Sequence, residues 1–372
     1  MIIKDEIYGT IGFDEFEERI IDTPEFQRLR RVKQMSVTNL VYPGANHTRF
    51  EHSLGTAHLS ETIGRRLGLD SEALKKLKLY ALLHDIGHVA FSHEGEDVLK
   101  KHIGDHEKIG KEKILGGEIA DVLSENYRPS EIIKVGESKE GSIVSSDIGA
   151  DRMDYLKRDA RNTGVAYGII DIDRIVHMLS MEKGELCIWK GGLEAAEYLL
   201  IARFMMFSTV YLHHTVRIGT ALLYRAIEES VSDGSVKAIE FATLGDDEAM
   251  VRMKGSRNGR RYVDALLERR LYKEVCSFQK TGKKESAIRK LGGELTEKFG
   301  HEIIVDYPHP FFKPIEFQVK TEGGLVPIGR LSTIMSSLKE SEGQRMRVLV
   351  LADQRTKEKE GARIRKELSG YL

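Results

Sequence analysis

The segment Tyr80-Ala-Leu-Leu-His84-Asp85-Ile-Gly-His88 runs an apolar helical pattern directly into three ionisable side chains. Burying an unpaired carboxylate is costly, so a side chain such as Asp85 in this setting is normally paired or bound to a metal ion. Neighbouring residues on a helix point about 100° apart, so His84 and Asp85 can bind one ion, and His88 lies one turn further along the face of His84. A buried His–Asp hydrogen bond is the alternative interpretation of such a pair.

Apolar residues recur at helical spacing on both sides of this segment, and Gly or Pro residues separate the repeats. The stretches with this pattern lie around 14–36, 49–67, 72–87, 106–126, 143–160 and 194–230. We therefore predict that the first 230 residues form an all-helical domain.

The character of the 372-residue chain changes after this point. Residues 252–290 contain 13 Lys or Arg against four Asp or Glu, and we predict a basic helical extension over 231–300. A small α+β module is predicted over 301–372, ending in a charged helix near 355–369. Its short strands are expected at 302–307, 315–320 and 346–351. The predicted fold class is therefore mainly α, with a helical domain over 1–230 and a small C-terminal α+β module.

Positive and negative side chains nearly balance, with 57 Lys and Arg against 58 Asp and Glu, and the formal net charge is -1. The chain as a whole has no electrostatic attraction for nucleic acid, so nucleic acid is not an expected partner. The local positive excess in 252–290 is enough to attract polyphosphate.

Cysteine usage and hydropathy indicate the compartment. Cys187 and Cys276 lie far apart and match no metal or redox spacing, which suits a reducing cytoplasm. The first residues lack the basic and then apolar order of a signal peptide. The most apolar later stretch, 198–212, is interrupted by Arg203 and is too short to span a bilayer. We expect a cytoplasmic protein with no membrane partner.

Eight of the 13 histidines lie between positions 47 and 106. In the segment Thr48-Arg49-Phe50-Glu51-His52-Ser53-Leu54-Gly55, Arg49 and His52 are three residues apart and share a helical face. A cation beside a possible metal ligand suits a phosphate group that lies above a metal ion. A half-buried structural role is the common alternative for any single histidine.

A polar stripe at four-residue spacing follows later in the chain. Asp147, Asp151, Tyr155 and Asp159 form it on a predicted helix. It supplies a second source of carboxylates. The alternative is a solvated face on which these acids pair with Arg152, Lys157 and Arg158.

His52, then His84-Asp85, then Asp151 resemble the H…HD…D signature of the HD-domain metal-dependent phosphohydrolases, whose four ligands come from separate helices. Further motifs are similar to those of the deoxynucleoside triphosphate triphosphohydrolases, and the similarity covers roughly residues 5 to 230. These motifs are Asp22-Thr-Pro-Glu-Phe-Gln-Arg-Leu-Arg30, Lys33-Gln34, Tyr42-Pro-Gly-Ala, His47 to Gly55, and Leu83 to His88 followed by Phe91-Ser-His93.

The resemblance implies that His52, His84, Asp85 and Asp151 bind one divalent metal ion. Two imidazoles with two carboxylates suit Mn, Fe, Zn, Ni or Mg. In such enzymes a metal-activated water attacks the α-phosphorus of a deoxynucleoside triphosphate (dNTP), and a deoxynucleoside and inorganic triphosphate are released.

The resemblance also assigns roles to three histidines. His93 resembles the general acid that protonates the leaving 5′ oxygen, His106 belongs to the catalytic set, and His88 is a phosphate or proton partner. Histidine suits these tasks because its ordinary pKa is about 6.5, so both protonation states are accessible at neutral pH. The implied substrate-binding residues are Gln34, Arg49, Arg152, Tyr155, Asp159 and His214.

Regulated relatives bind an activating nucleotide between subunits. Asp22, Gln27 and Arg30 match the residues that read a guanine base there, and the segment 269–273 is similar to the one that binds effector phosphates. The alternative for the first three is an ordinary helix start, with Asp22 or Thr23 as the cap. A nucleotide effector and a homodimer or homotetramer are thus implied.

We therefore predict an enzyme that hydrolyses dNTPs. One alternative is an HD-type hydrolase of another nucleotide phosphoester, such as a monophosphate, a cyclic nucleotide or a guanosine polyphosphate. From another class, a non-catalytic protein that binds nucleotides or nucleic acid is the second alternative.

Overall fold

The computed structural model describes residues 1–279, 285–300, 303–307 and 317–369. The first part begins with two strands and continues as helices: β1 (Ile2–Asp5), β2 (Gly9–Gly12), α1 (Glu15–Ile21), α2 (Pro24–Gln27), α3 (Arg49–Arg66), α4 (Ser71–Leu83), α5 (Ser92–Ile103), α6 (His106–Ile114), α7 (Gly117–Leu123), α8 (Pro129–Glu137), α9 (Ser142–Ser145), α10 (Ala150–Thr163) and α11 (Ile172–Met178).

A second hairpin opens the remainder of the chain. The elements there are β3 (Leu179–Glu182), β4 (Glu185–Trp189), α12 (Leu193–Met206), α13 (His214–Ser232), α14 (Asp246–Lys254), α15 (Arg260–Leu267), β5 (Lys273–Gln279), α16 (Glu285–Phe299), β6 (Ile303–Asp306), β7 (Gln318–Thr321), β8 (Gly324–Pro327), α17 (Ile328–Leu331), α18 (Thr333–Arg345), β9 (Arg347–Ala352) and α19 (Gln354–Glu367). The predicted fold class, mainly α with a small C-terminal region containing strands, is confirmed.

Helix α3 is the centre of the helical part. It packs against α4 on one side and α10 on another. A capping box starts it, because the carboxylate of Glu51 accepts a hydrogen bond from the backbone N–H of Thr48 at 2.9 Å. Its apolar side chains Phe50, Leu54 and Ile63 are buried, so the helix is fixed in the core along most of its length.

The contact between α3 and α10 requires a glycine at position 55. A Cβ atom there would lie 2.0 Å from Oδ1 of Asp154 and 2.4 Å from Nη2 of Arg158. Gly55→Ala should therefore lower the free energy of unfolding by about 1–3 kcal/mol, as overpacking does in other cores. Thermal and denaturant unfolding measure the loss.

Gly293→Ala in α16 is the matched control, since nothing lies within 4 Å of a Cβ atom at that position. Alanine is favoured over glycine in a helix by about 1 kcal/mol, so the control should be neutral or stabilising. A Gly55→Ala protein as stable as the Gly293→Ala protein would show that the α3–α10 contact tolerates a methyl group.

The prediction that the first 230 residues are all-helical is wrong at two hairpins. β1 pairs with β2, and β3 pairs with β4, both antiparallel. These strands are only four or five residues long, too short for a strand period to stand out from the surrounding helical pattern. β4 also pairs in parallel with β7, so the sheet β3-β4-β7-β8 joins strands from either side of residue 230.

The predicted strands of the tail are confirmed where the structure describes them, as β6, β7 and β9, and α19 is the predicted charged helix. Positions 302, 315 and 316 of those predictions lie outside the described residues. The prediction of a purely helical segment over 231–300 is wrong at β5, which pairs with the central strand of the sheet β5-β9-β6. The many charged side chains of that segment hide the partial alternation of buried and exposed residues in β5.

In the described part of the chain, no single helix is both long and apolar enough to cross a bilayer. Two consecutive stretches, Lys190–Tyr211 and His214–Ser232, reach that length and composition only together, across a bend of 66°.

Candidate metal centre and active site

Three parts of the fold bring the predicted metal ligands together. His52 lies on α3, Asp151 lies in the first turn of α10, and His84 and Asp85 follow the end of α4 at Leu83. The prediction that His84, Asp85 and His88 share a continuous helix is therefore wrong, because these residues form a tight turn, called here the 84–88 turn.

The close approach of helix α6 explains the end of α4. A Cβ atom at Gly87 would lie 2.0 Å from the backbone oxygen of His106 and 2.3 Å from the backbone nitrogen of Gly110. The 84–88 turn therefore packs directly on α6 and depends on glycine at this position.

The four predicted ligands converge. Nε2 of His52 lies 3.1 Å from Oδ1 of Asp151 and 3.5 Å from Oδ2 of Asp85. Nε2 of His84 lies 3.4 Å from Oδ1 of Asp85 and 3.8 Å from Oδ1 of Asp151. Neither Nε2 atom makes a hydrogen bond of acceptable geometry with the described residues, although both are buried. Two imidazole nitrogens and two carboxylates thus surround one small space.

The other ring nitrogen of each histidine is fixed by a hydrogen bond. Nδ1 of His52 donates to Asp154 at 2.7 Å, and Nδ1 of His84 donates to the backbone oxygen of Ala81 at 2.6 Å. Nε2 of each ring, which carries the lone pair when the histidine is neutral, therefore faces the carboxylates of Asp85 and Asp151. Such outer partners are typical of metal-binding histidines, so the donor set fits a divalent cation.

The electrostatics of this cluster also favour a cation. Burial opposes charge on His52, yet the close carboxylates of Asp151 and Asp154 outweigh burial and raise the pKa of His52 to about 10. Burial alone would raise the pKa of Asp85. The charges of Arg49 and His84 outweigh burial and hold that pKa well below its ordinary value. An ionised carboxylate and a site that attracts positive charge are what a metal ion requires.

Arg49 links this cluster to an adjacent cavity. Its Nη1 donates to Asp85, and its Nε donates to Oγ of Ser92 at 2.8 Å. The guanidinium is 2% exposed, and its Nη2 has no hydrogen-bond partner among the described residues. One donor of a rigid cation is therefore available beside the predicted metal ligands.

The three predicted catalytic histidines form a second group next to the first. The rings of His88 and His106 stack 4.2 Å apart at 11°, and the ring of His93 meets them edge-on at 4.7 Å and 5.5 Å. Three imidazoles in mutual contact suit the handling of protons. Ligand atoms of these rings and of Glu96 lie within 4.8 Å of one another, so the same group could also hold a metal ion.

Glu96 is a member of this group that the sequence analysis missed. Nδ1 of His106 donates to Oε2 of Glu96 at 2.6 Å. Burial opposes a charge on His106, but Glu96 outweighs it and raises the pKa of His106. Burial and the charge of Arg49 lower the pKa of His93 to about 4. The spacing His93-x-x-Glu96, one turn of α5, was the available signal.

A cavity of about 300 Å³ opens beside both groups. Five of the predicted residues line it: Gln34, Arg49, His93, Tyr155 and Asp159. Asp159 accepts hydrogen bonds from the hydroxyl of Tyr211 at 2.6 Å and from Nε2 of His47 at 2.7 Å. The cavity therefore combines cationic, aromatic and carboxylate groups, as expected for a site that binds an anionic polar ligand.

Two predicted substrate residues lie elsewhere. Arg152 is not among the cavity-lining residues, and its guanidinium pairs with Asp147, which precedes α10. His214 is the first residue of α13, and its half-exposed ring faces Glu274 at 2.9 Å. Arg203 and Tyr211 line the cavity from this region of the chain instead.

The predicted effector residues lie together on the surface. Thr23 caps α2, and Asp22 is the exposed C-cap of α1. Nε of Arg30 donates to Gln27 at 2.9 Å, and its guanidinium lies 3.5 Å from the centre of the Phe50 ring. Both interpretations of this segment, effector site and helix start, are compatible with this arrangement.

A strained turn leads into His93. Phe91 and Ser92 both adopt left-handed backbone angles, with φ of 67° and 56°, which is costly for residues other than glycine. The carboxylate of Asp246 accepts hydrogen bonds from the backbone N–H of Phe91 at 2.7 Å and of Lys33 at 3.0 Å. Asp246, far away in sequence, thus supports the turn that presents His93.

Asp246 should make stability depend on pH. Burial raises its pKa to about 6, above the value of about 4 in an unfolded chain. As pH rises, the unfolded chain releases this proton before the folded protein does. Between about pH 4 and 6 the free energy of unfolding of the wild-type protein should therefore fall by up to about 3 kcal/mol relative to that of Asp246→Asn. Denaturant titration of both proteins at each pH measures this difference. A difference that is constant from about pH 4 to 7 would contradict the assignment.

The helical core and the His/Asp cluster beside an arginine-lined cavity define a class of metal-dependent hydrolases. The family described as HD domain matches residues 49–159, and the family described as HD associated region matches residues 170–369. The chain therefore belongs to the HD-domain family of phosphohydrolases.

Individual relatives agree with this assignment. An uncharacterized protein of Methanocaldococcus jannaschii is 38% identical over 360 residues, which cover 92% of this chain and 76% of that protein. A Dictyostelium discoideum protein described as a deoxynucleoside triphosphate triphosphohydrolase is 26% identical over 82% of this chain, and the match spans 60% of that protein. The crystal structure of a hypothetical protein from Aquifex aeolicus superposes with a TM-score of 0.81 at 29% identity, covering 98% of this chain and 99% of that one.

Proposed function

We propose that this protein hydrolyses dNTPs to deoxynucleosides and inorganic triphosphate. The observation that carries the proposal is the convergence of His52, His84, Asp85 and Asp151 beside a cavity lined by Arg49. The similarity to a Dictyostelium protein described as an enzyme of this activity supports the choice of substrate.

The four converging side chains would hold one divalent cation. Their mixed nitrogen and oxygen donors suit Mn, Fe, Zn, Ni or Mg. When bound, such an ion supplies a Lewis acid for a phosphate oxygen and lowers the pKa of a coordinated water.

The arginines of the cavity bind and orient the phosphates. The unpartnered Nη2 of Arg49 donates to an oxygen of the α-phosphate, while its other nitrogens remain fixed by Asp85 and Ser92. Arg203 lines the same cavity and adds positive charge for the outer phosphates, whereas Arg217 on that wall pairs with Asp306. A guanidinium held in a fixed orientation loses little entropy when it binds.

His93 delivers the proton that the leaving 5′ oxygen requires. Its ring is exposed to the cavity, whereas His88 behind it is fully buried. Glu96 keeps a proton on His106, whose ring meets that of His93 edge-on. Because the pKa of His93 is lowered to about 4, the ring is neutral at pH 7 and has to receive the proton from His106 before it can deliver it.

The far wall of the cavity suits the sugar. Oε1 of Gln34 has no hydrogen-bond partner among the described residues, and Tyr155 and Asp159 lie on the same wall. Because Asp159 is fixed by Tyr211 and His47, it is a rigid acceptor for the 3′-hydroxyl group.

Regulation and assembly form part of the proposal. Asp22, Gln27 and Arg30 would bind a nucleotide effector in a cytoplasmic homodimer or homotetramer. The position of these three residues at or near the surface, with the guanidinium of Arg30 over the buried ring of Phe50, supports this role.

One observation favours the hydrolysis of a different nucleotide phosphoester. Arg152 pairs with Asp147 and is absent from the cavity wall, so one predicted phosphate cation is missing. A substrate with fewer phosphates, such as a monophosphate or a cyclic nucleotide, needs less positive charge. The same consideration applies to a protein that binds nucleotides without turnover.

Product analysis tests the proposal. The purified protein is incubated with a panel of divalent metals and a panel of nucleotides, and the phosphorus products are separated. Inorganic triphosphate from dNTPs is the expected product. Monophosphate or pyrophosphate would identify another phosphohydrolase of the family, and tight nucleotide binding without any product would replace the enzymatic proposal.

A further inference from the structure

Two cationic side chains bind the backbone of the 84–88 turn. The guanidinium Nη2 of Arg28 donates to the backbone oxygen of His88 and, at 3.5 Å, to that of Ile86. Nζ of Lys113 donates to the same oxygen of Ile86 at 3.3 Å. The carbonyl groups on either side of Gly87 are therefore held by hydrogen bonds from two basic side chains.

The same two cations bind a second segment of backbone. Nη1 of Arg28 donates to the oxygen of Leu244 at 3.1 Å, and Nζ of Lys113 donates to that of Ala242 at 2.8 Å. These residues immediately precede Asp246, which supports the turn before His93. Arg28 and Lys113 thus fasten the 84–88 turn to the region matched by the HD associated family.

This arrangement is energetically expensive. Arg28 is 3% exposed, and no carboxylate lies within 4.0 Å of Arg28 or Lys113 in the part of the chain that the structure describes. Burial lowers the pKa of Arg28 to about 10, and burial together with the charge of Arg28 lowers that of Lys113 to about 7. Uncharged side chains would fill such a space at lower cost, so these cations indicate that the position of the turn matters.

Lys113 connects both partners of the histidine stack. It lies near the end of α6, and His106 is the first residue of that helix. His106 stacks on His88, which ends the 84–88 turn, and Gly87 packs on the backbone of α6. A hydrogen bond from Lys113 to Ile86 therefore fixes His88 relative to His106.

We propose that Arg28 and Lys113 are positioning residues for the active site. They hold the 84–88 turn so that Asp85 faces the other three predicted metal ligands and His88 faces His106. This inference rests on the proposed metal-dependent function of the same site, but it concerns side chains that touch neither metal nor substrate.

The test compares Lys113→Met, which keeps an apolar stem and removes the charge, with Lys113→Arg, which keeps the charge and the donors. Lys111→Met is the matched control, because Lys111 lies on the same helix, is exposed and faces Glu137 at 3.3 Å. Each protein is measured for the dissociation constant of Mn²⁺ by competition with a chelator, for kcat and KM, and for Tm.

Lys113→Met should weaken Mn²⁺ binding, lower kcat, or do both, with little change in KM. The expected effect is roughly ten- to hundredfold, which is the range found when outer partners of metal ligands are removed. Lys113→Arg should restore most of the loss, and Lys111→Met should equal the wild type. Arg28→Lys, which retains one donor group, should show a smaller effect in the same direction.

A Lys113→Met protein with wild-type Mn²⁺ affinity and kcat but a lower Tm would overturn the proposal, since its role would then be structural only. The Mn²⁺ measurement needs no nucleotide. If the wild-type protein binds Mn²⁺ and hydrolyses no dNTP, the proposed function fails while the positioning role is still tested by the Mn²⁺ affinities.

Discussion

Asp85→Ala should remove the bound metal and the activity together. One oxygen of Asp85 lies 3.5 Å from Nε2 of His52, and the other lies 3.4 Å from Nε2 of His84. Without Asp85, the site loses one of the two carboxylates that lie near both imidazoles. Elemental analysis of the purified protein and a turnover assay measure the two losses.

Loss of stability has to be separated from loss of metal. Asp85 also pairs with the buried Arg49, and removal of one partner of a buried ion pair costs about 3–5 kcal/mol. Asp85→Asn preserves the shape and one acceptor for Arg49, so it should remain folded and still lose the metal. Asp121→Ala, at an exposed carboxylate, is the control. Stoichiometric metal in a folded Asp85→Asn protein would reject the proposed ligand set.

His93→Ala should leave the metal in place and lower kcat by roughly a hundredfold or more, the usual contribution of general acid catalysis. The ring of His93 contacts His88 and His106 but none of the four predicted metal ligands directly. KM should change little, because the phosphate and sugar contacts lie on other residues. His102→Ala, at an exposed histidine of the same helix α5, is the matched control.

The leaving group provides a sharper test of this role. A nitrophenyl ester of a nucleotide releases an anion that needs no proton, so His93→Ala should be impaired far less on that substrate than on a dNTP. An equal loss on both substrates would assign His93 to substrate positioning. Unchanged turnover of the dNTP would remove His93 from the site.

The approach of the predicted ligands could be expected from the sequence because the motif fixes residue types and their order. The local backbone at His84 and Asp85 could not. Helical periodicity continues through position 87, and the contact of Gly87 with the backbone of α6 that ends the helix involves residues 19 or more positions away. A contact of that kind leaves no trace in the spacing of apolar residues.

His214 was assigned from the family resemblance, and the structure places it outside the cavity wall. Residues Phe207–Tyr211 form a π-helical turn after α12, which contains more residues per turn than an α-helix. Tyr211 occupies the wall, and His214 starts a new helix that points its ring outward.

The last strand of the tail was predictable because Val348 to Leu351 form an uninterrupted apolar run of Val and Leu. The hairpins near residues 2–12 and 179–189 were not, since each strand has only four or five residues. Glu96 was missed because its one-turn spacing from His93 does not stand out among the many charged residues of α5.

The pairing of β4 with β7 determines how the protein can be divided. Cys187, Ile188 and Trp189 pair with residues 318–320, and Lys320 lies 3.9 Å above the Trp189 ring. A fragment that ends before this partner strand would leave β4 with unsatisfied backbone groups at an open edge, which is a common starting point for intermolecular association. All four proposed ligands precede that strand in the sequence. A fragment that contains them and does not associate therefore has to include residues 318–320, more than a hundred positions further along the chain.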